Sequence, residues 1–238
     1  MTDIVSIAIN PELISLLQAQ DLTDPCEEEV IEEHAAEPIK DRETIQRIIK
    51  YFLENNQLRN CALFVTGINA GLRISDLLKL RFQDVFNDDG SRKEYILLKE
   101  KKTKKKRGFA LSDKTYEILE MYRQSIENYR PELYLFRSES RIYNNTNDNK
   151  PMTRQGVHTV FDRTWKDLGL TTRHGTHMLR KTFAYQILTG TKDPLERTRR
   201  LETLMKMFNH SNVRITLAYA GITREEEVGL YRGFDYGT

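Results

Sequence analysis

Apolar residues recur at helical spacing through most of the chain and at strand spacing in only one stretch. From Arg42 to Asn55, the positions Ile45, Ile48, Ile49 and Phe52 mark one face of a helix. RNCALFVTGINAG, residues 59–71, is largely apolar and predicts a buried helix that stops at Gly71. Between Phe82 and Leu111 the period changes. Val85-Phe86, an NDDG turn, YILLKE, a lysine run and GFAL predict a small sheet of two or three strands. Ser112 is placed to cap a helix through SDKTYEILEMYRQSIENY, closed by Pro131, and LYLF after it reads as a short strand or a core plug. Asn144–Asn149 is a polar loop, and helical patterns return at 153–168, 177–189, 195–208 and 212–220. The expected class is mostly α with a small antiparallel β-sheet (α+β).

The first forty residues lack this patterning. Asn10-Pro11-Glu12 ahead of LISLLQAQ supplies a cap, a first-position proline and a favourable acid, so a short helix is expected at 11–20. DLTDPCEEEVIEEHAAEPIK then reads as an acidic linker broken by Pro25 and Pro38. The expected organisation is an acidic segment over 1–40 followed by one domain over 41–238.

Charge sharpens that division. The whole chain carries 37 Lys+Arg against 35 Asp+Glu, a balance of +2. Residues 1–40 hold ten acids and only Lys40, or −9, which leaves 36 bases and 25 acids, or +11, for the rest. An acidic head on a basic body points to a nucleic-acid partner or to an acidic tail. At 39% hydrophobic and 30% charged the composition is globular and excludes disorder throughout. The longest apolar runs, such as Cys61 to Val65, fall far short of the ~20 residues of a membrane span, and Asp3 without a nearby base spoils a secretory signal. The expected location is the cytoplasm, in association with the nucleoid and not with a membrane. Cys26 and Cys61 lack the CxxC spacing of a zinc site, and Cys61 reads as a core residue.

Several groups could carry chemistry. The run Lys99, Lys101, Lys102, Lys104, Lys105, Lys106, Arg107 lies between apparent strands, where a hairpin tip can neutralise phosphates. Its plain alternative is a solvated turn. His177 and Arg180, three apart on one helix face, can both donate to a single phosphate. His210 and Tyr219 add a second imidazole and a phenol nine residues apart on a short helix. A tyrosine is a poor nucleophile near its ordinary pKa of about 10, yet a phosphate clamped between arginines makes its attack feasible. Gly71-Leu72-Arg73-Ile74-Ser75-Asp76 sets an arginine just past a helix-ending glycine, with Ser75 and Asp76 able to cap the next helix. Singly, each of these groups is weak.

In order, G-L-R-I-S-D, a hairpin lysine, H-x-x-R and H followed nine residues on by Y resemble the tyrosine recombinase (phage integrase) family over about 41–230. The resemblance implies that family's catalytic-domain fold, with Arg73, Lys102, His177, Arg180, His210 and Tyr219 as the catalytic set. Lys102 is chosen because Lys102 to Leu111 follows the family's K-G-x-K-x-R-x-V-P-L without gaps, and Lys104 is the alternative. Lys101, Lys104, Lys105, Lys106 and Arg107 are then expected to bind DNA. Tyr219 would attack the scissile phosphate, leaving a 3′-phosphotyrosyl link and a free 5′-hydroxyl. Arg73 and Arg180 would clamp the non-bridging oxygens, Lys102 would protonate the leaving oxygen, and His177 would take the tyrosine's proton. The chemistry asks for no metal and no cofactor. The implied partners are double-stranded DNA at recombination sites and a homotetramer formed on it from a monomer in solution, serving a mobile element, phage or invertible segment. Leu230, Tyr231 and Phe234 are candidates for contacts between subunits.

The sequence also departs from the family. Asp76 stands where Glu is usual, Asn209 where Gly precedes the second histidine, and Ala110 where Pro is common. TKDPLERTRR, residues 191–200, looks like an insertion. An acidic segment of forty residues cannot be the separate DNA-binding domain that often precedes the catalytic one, so the chain is expected to be either a minimal recombinase or a piece of a longer integrase. Two other readings keep the scaffold: a non-catalytic DNA-binding regulator, and a topoisomerase-like enzyme that nicks and reseals.

Overall fold

The computed structural model describes residues 36–99, 106–138 and 149–222, with the backbone alone at Lys99, Lys106 and Arg107. The expected helix at 11–20, Lys101, Lys102, Lys104, Lys105 and the tail residues Leu230, Tyr231 and Phe234 lie outside the described residues. Nine helices and one hairpin are described: α1 (Arg42–Glu54), α2 (Leu58–Ala70), α3 (Ile74–Leu77), α4 (Phe82–Val85), β1 (Ile96–Lys99), β2 (Lys106–Phe109), α5 (Asp113–Gln124), α6 (Arg154–Leu168), α7 (Thr176–Thr189), α8 (Pro194–Phe208) and α9 (Val213–Tyr219).

The most apolar helix forms the centre. Nine of the thirteen residues of α2 are buried, and it packs against α1, α5 and α7. Gly67 allows the close approach to α7, since a Cβ there would meet Leu179 Cδ1 at 2.5 Å. Cys61 is fully enclosed, and burial pushes its thiol up to about 12. At the end of α2, Gly71 takes a left-handed φ of 57° and closes the helix, with the Phe183 ring against its Cα.

Of the two or three strands expected, two are observed: among the described residues β1 and β2 pair, antiparallel, with Ile96 opposite Phe109. Val85 ends a single helical turn instead of entering a strand, because Phe82 and Val85, three apart, both drop into the core. Phe86 is left with one isolated bridge to Arg92. Ser112 caps α5 as expected, its hydroxyl accepting from the Thr115 amide, but the helix ends at Gln124. The turn there folds Tyr129 back edge-on to Phe82, with ring centroids 5.2 Å apart. LYLF is a plug: Leu133, Leu135 and Phe136 are buried.

Two hydrophobic clusters result. The large one fills the space among α1–α6 and reaches the first turn of α7. A small one, Phe183, Ala184, Leu188, Leu201, Leu204, Phe208, Val213, Leu217 and Ala220, joins the rest of α7 to α8 and α9. Residues 191–200, read from the sequence as an insertion, supply the turn into α8 and its first two turns. Asp193 caps that helix, Arg197 donates to the carbonyls of Leu188 and Thr191, and Arg200 donates to that of Ile187. Two arginines thus satisfy carbonyls that the end of α7 would otherwise leave orphaned.

Candidate active site

Arg73 is placed by the turn between α2 and α3. After the left-handed Gly71 the chain runs extended through Arg73, which is itself the N-cap of α3. Ser75 and Asp76 therefore lie inside that helix and do not cap it, contrary to the sequence expectation; Ser75 is exposed and Asp76 buried. Arg73, Ser75, Lys79, Arg154 and His177 line a cleft of about 380 Å³ whose apolar walls are Ile74, Leu78, Pro151 and Met152.

α7 delivers two groups with opposite exposures. His177, in its first turn, stands at the rim of the cleft. Arg180, one turn on, is 3% exposed. The Arg180 Nη1 donates to the Gly71 carbonyl at 2.6 Å, and its guanidinium lies 3.8 Å from the Phe208 ring centroid. A guanidinium this far from solvent requires such partners, since an uncompensated buried charge is strongly unfavourable.

α9 brings Tyr219 to the same place. Its hydroxyl is 3.3 Å from the His177 Nδ1. Its ring packs edge-to-face on Phe208 and His210, with centroids 5.4 and 5.5 Å away. The His210 Nδ1 pairs with the Thr216 hydroxyl at 2.9 Å. Asn209 takes the left-handed conformation, φ 58°, in the turn between Phe208 and His210. The structure thus gathers Arg73, His177, Arg180, His210 and Tyr219, while Lys102 lies outside the described residues. Lys106 and Arg107 belong to β2.

Desolvation, followed by the charges of Arg154, Lys181, Arg180 and Arg73, lowers the His177 pKa below its usual value. The lowered pKa favours the uncharged ring, and in the tautomer protonated at Nε2 its Nδ1 can accept a hydrogen bond from the Tyr219 hydroxyl.

Arg154 escaped the sequence reading. It opens α6 after the Thr153 cap, is exposed, and makes no hydrogen bond or ion pair among the described residues. Nothing in T-R-Q-G sets it apart. The same helix braces the entry to α7: Asp162 accepts from His158 and His174 at 2.8 and 2.6 Å. Desolvation opposes ionisation of Asp162, but the two histidine hydrogen bonds outweigh it and hold the carboxyl below its usual range.

Residues 40–226 match the profile of the Phage integrase family. The chain belongs to that family. A Bacillus subtilis (strain 168) relative named Probable integrase/recombinase YoeC is 35% identical over 205 residues, which cover 84% of this chain and 98% of that one. Tyrosine recombinase XerC of Halalkalibacterium halodurans is 29% identical over 181 residues, so the chain spans about half the length of that relative, 54%. Among solved structures, the XerH site-specific recombinase bound to palindromic difH substrate superposes with a TM-score of 0.57 at 18% identity, covering 83% of this chain and 54% of that one. The integrase fold so identified is the mostly helical one with a two-strand antiparallel sheet that the sequence pattern predicts. Among the described residues no helix is long and apolar enough to cross a membrane.

Proposed function

We propose that this integrase-family chain cuts and rejoins DNA strands at specific sites through a covalent 3′-phosphotyrosine, with Tyr219 as nucleophile. The contact between the Tyr219 hydroxyl and the His177 Nδ1 carries the reading, because it joins a nucleophile to a neutral base beside a buried arginine. The Tyr219 oxygen attacks phosphorus, its proton passes to His177, and the bond from phosphorus to the 5′-oxygen breaks. Lys102 gives that oxygen its proton, a role assigned by likeness to the family. A 5′-hydroxyl of a partner strand then reverses the steps, so the number of phosphoester bonds is conserved. Arg180 and Arg73 stabilise the charge that develops on the non-bridging oxygens, and His210 holds the phosphate.

The +11 body and the cationic cleft suit duplex DNA as the partner, bound by a homotetramer. A nicked suicide duplex made from the DNA flanking the gene tests the proposal. The unsubstituted protein is expected to form a covalent adduct and Tyr219→Phe none; an adduct with Tyr219→Phe refutes the assignment. Loss of cleavage in Lys104→Ala but not in Lys102→Ala would move the acid role to Lys104.

A further inference from the structure

One side chain outside the reactive set touches three of its members. Phe208 ends α8, is 1% exposed, and belongs to the small cluster. Its ring lies 3.8 Å from the Arg180 guanidinium, and 5.4 Å separates its centroid from each of the rings of His210 and Tyr219. Phe183 backs it at 6.4 Å. A leucine or methionine would fill most of the same volume without a quadrupole, so apolar bulk alone does not account for an aromatic residue here.

Cation–π attraction is strongest where the cation has lost its water, which is the condition of Arg180. The Gly71 carbonyl fixes one nitrogen of the guanidinium and the ring fixes its plane. The edge-to-face contacts set the tilt of Tyr219 and His210 relative to that same ring, at 71° and 68°. α7 and α9 are separate elements; the contact of His177 with Tyr219 joins them on one side, and the Phe208 ring, which touches Arg180 as well as Tyr219, sets the nucleophile against the arginine on the other.

We propose that Phe208 is a positioning residue that aligns Arg180, His210 and Tyr219 for attack. This rests on the proposed role of Tyr219. The test compares Phe208→Met, which keeps most of the apolar volume but not the ring, with Phe208→Tyr, which keeps the ring, and with Leu204→Ala, a larger cavity elsewhere in the same cluster. Single-turnover adduct formation, DNA Kd and Tm are measured for each on the nicked suicide duplex. Phe208→Met is expected to slow adduct formation roughly 10–30-fold, with Kd within about twofold. Phe208→Tyr is expected to recover most of the rate, and Leu204→Ala to lose Tm without losing rate. Phe208→Met reacting at the unsubstituted rate overturns the proposal, as does a loss that follows Tm alike in all three variants. Absence of any Tyr219-dependent adduct in the unsubstituted protein overturns the functional reading and this inference together; a normal adduct unaffected by Phe208→Met overturns only the inference.

Discussion

The large hydrophobic cluster presents its cations at the solvent edge, whereas the small cluster encloses Arg180. Lys79 and Arg154 are exposed, Arg73 is half-buried, and all three line the cleft. Arg180 is withdrawn beneath Phe208 and tied to the Gly71 carbonyl. Exposed cations attract phosphates over a distance that salt sets and are screened accordingly. An enclosed cation acts only on charge that develops beside it, is little screened, and contributes to rate more than to affinity. The open half suits gathering DNA and the closed half suits reacting with it. They meet at His177 and at the turn through Gly71.

Removing the enclosed cation should have the largest effect. Arg180→Ala is expected to slow single-turnover cleavage by roughly 10²–10³, while the salt dependence of DNA binding stays close to that of the unsubstituted protein. Equal losses in affinity and rate would erase the distinction between the halves. Gly71→Ala attacks their junction, because its left-handed φ disfavours alanine and the new Cβ would strike the Phe183 ring. A stability loss of about 2–4 kcal/mol is expected in urea titration. Arg197→Leu removes the donor to the Leu188 and Thr191 carbonyls and should lower stability by about 1–3 kcal/mol, loosening α8 against α7 without touching the cleft.

The smallest effects belong to the open half. Arg154→Ala should reduce the slope of log K against log salt by about 1 and barely change stability. It should also move the acid limb of cleavage. A depressed His177 pKa keeps the ring neutral down to pH values below its ordinary one, so the rate falls only at lower pH; desolvation is the main cause and Arg154 the foremost charge. Removing that charge raises the His177 pKa and shifts the limb to higher pH. A limb that moves to lower pH, or not at all, separates Arg154 from His177.

The sequence announced the closed half better than the open one. H-x-x-R and Y are polar residues at fixed offsets on helices, whereas His210, expected on the short helix with Tyr219, lies in the turn before α9; helical periodicity placed α1, α2, α6, α7, α8 and α9 within a residue or two of their observed ends. Arg154 was illegible because an exposed arginine in a first helical turn is what any solvated helix carries, and only folding sets it opposite Arg73 and His177. Phe208 was illegible for the converse reason, since an apolar residue closing a helix reads as core. The stretch around Val85 misled because a short apolar run fits strand and helix alike, and the burial of Phe82 together with Val85 decided it. Asn209 can stand in for a glycine, because asparagine tolerates the left-handed backbone that a helix end demands.

The role of Tyr219 is tested most directly by trapping the protein on nicked duplex DNA, digesting it and locating the nucleotide-bearing peptide by mass spectrometry. If the two halves work as described, the DNA is esterified to Tyr219 through its 3′-phosphate. Attachment to any other residue, or through a 5′-phosphate, would contradict it.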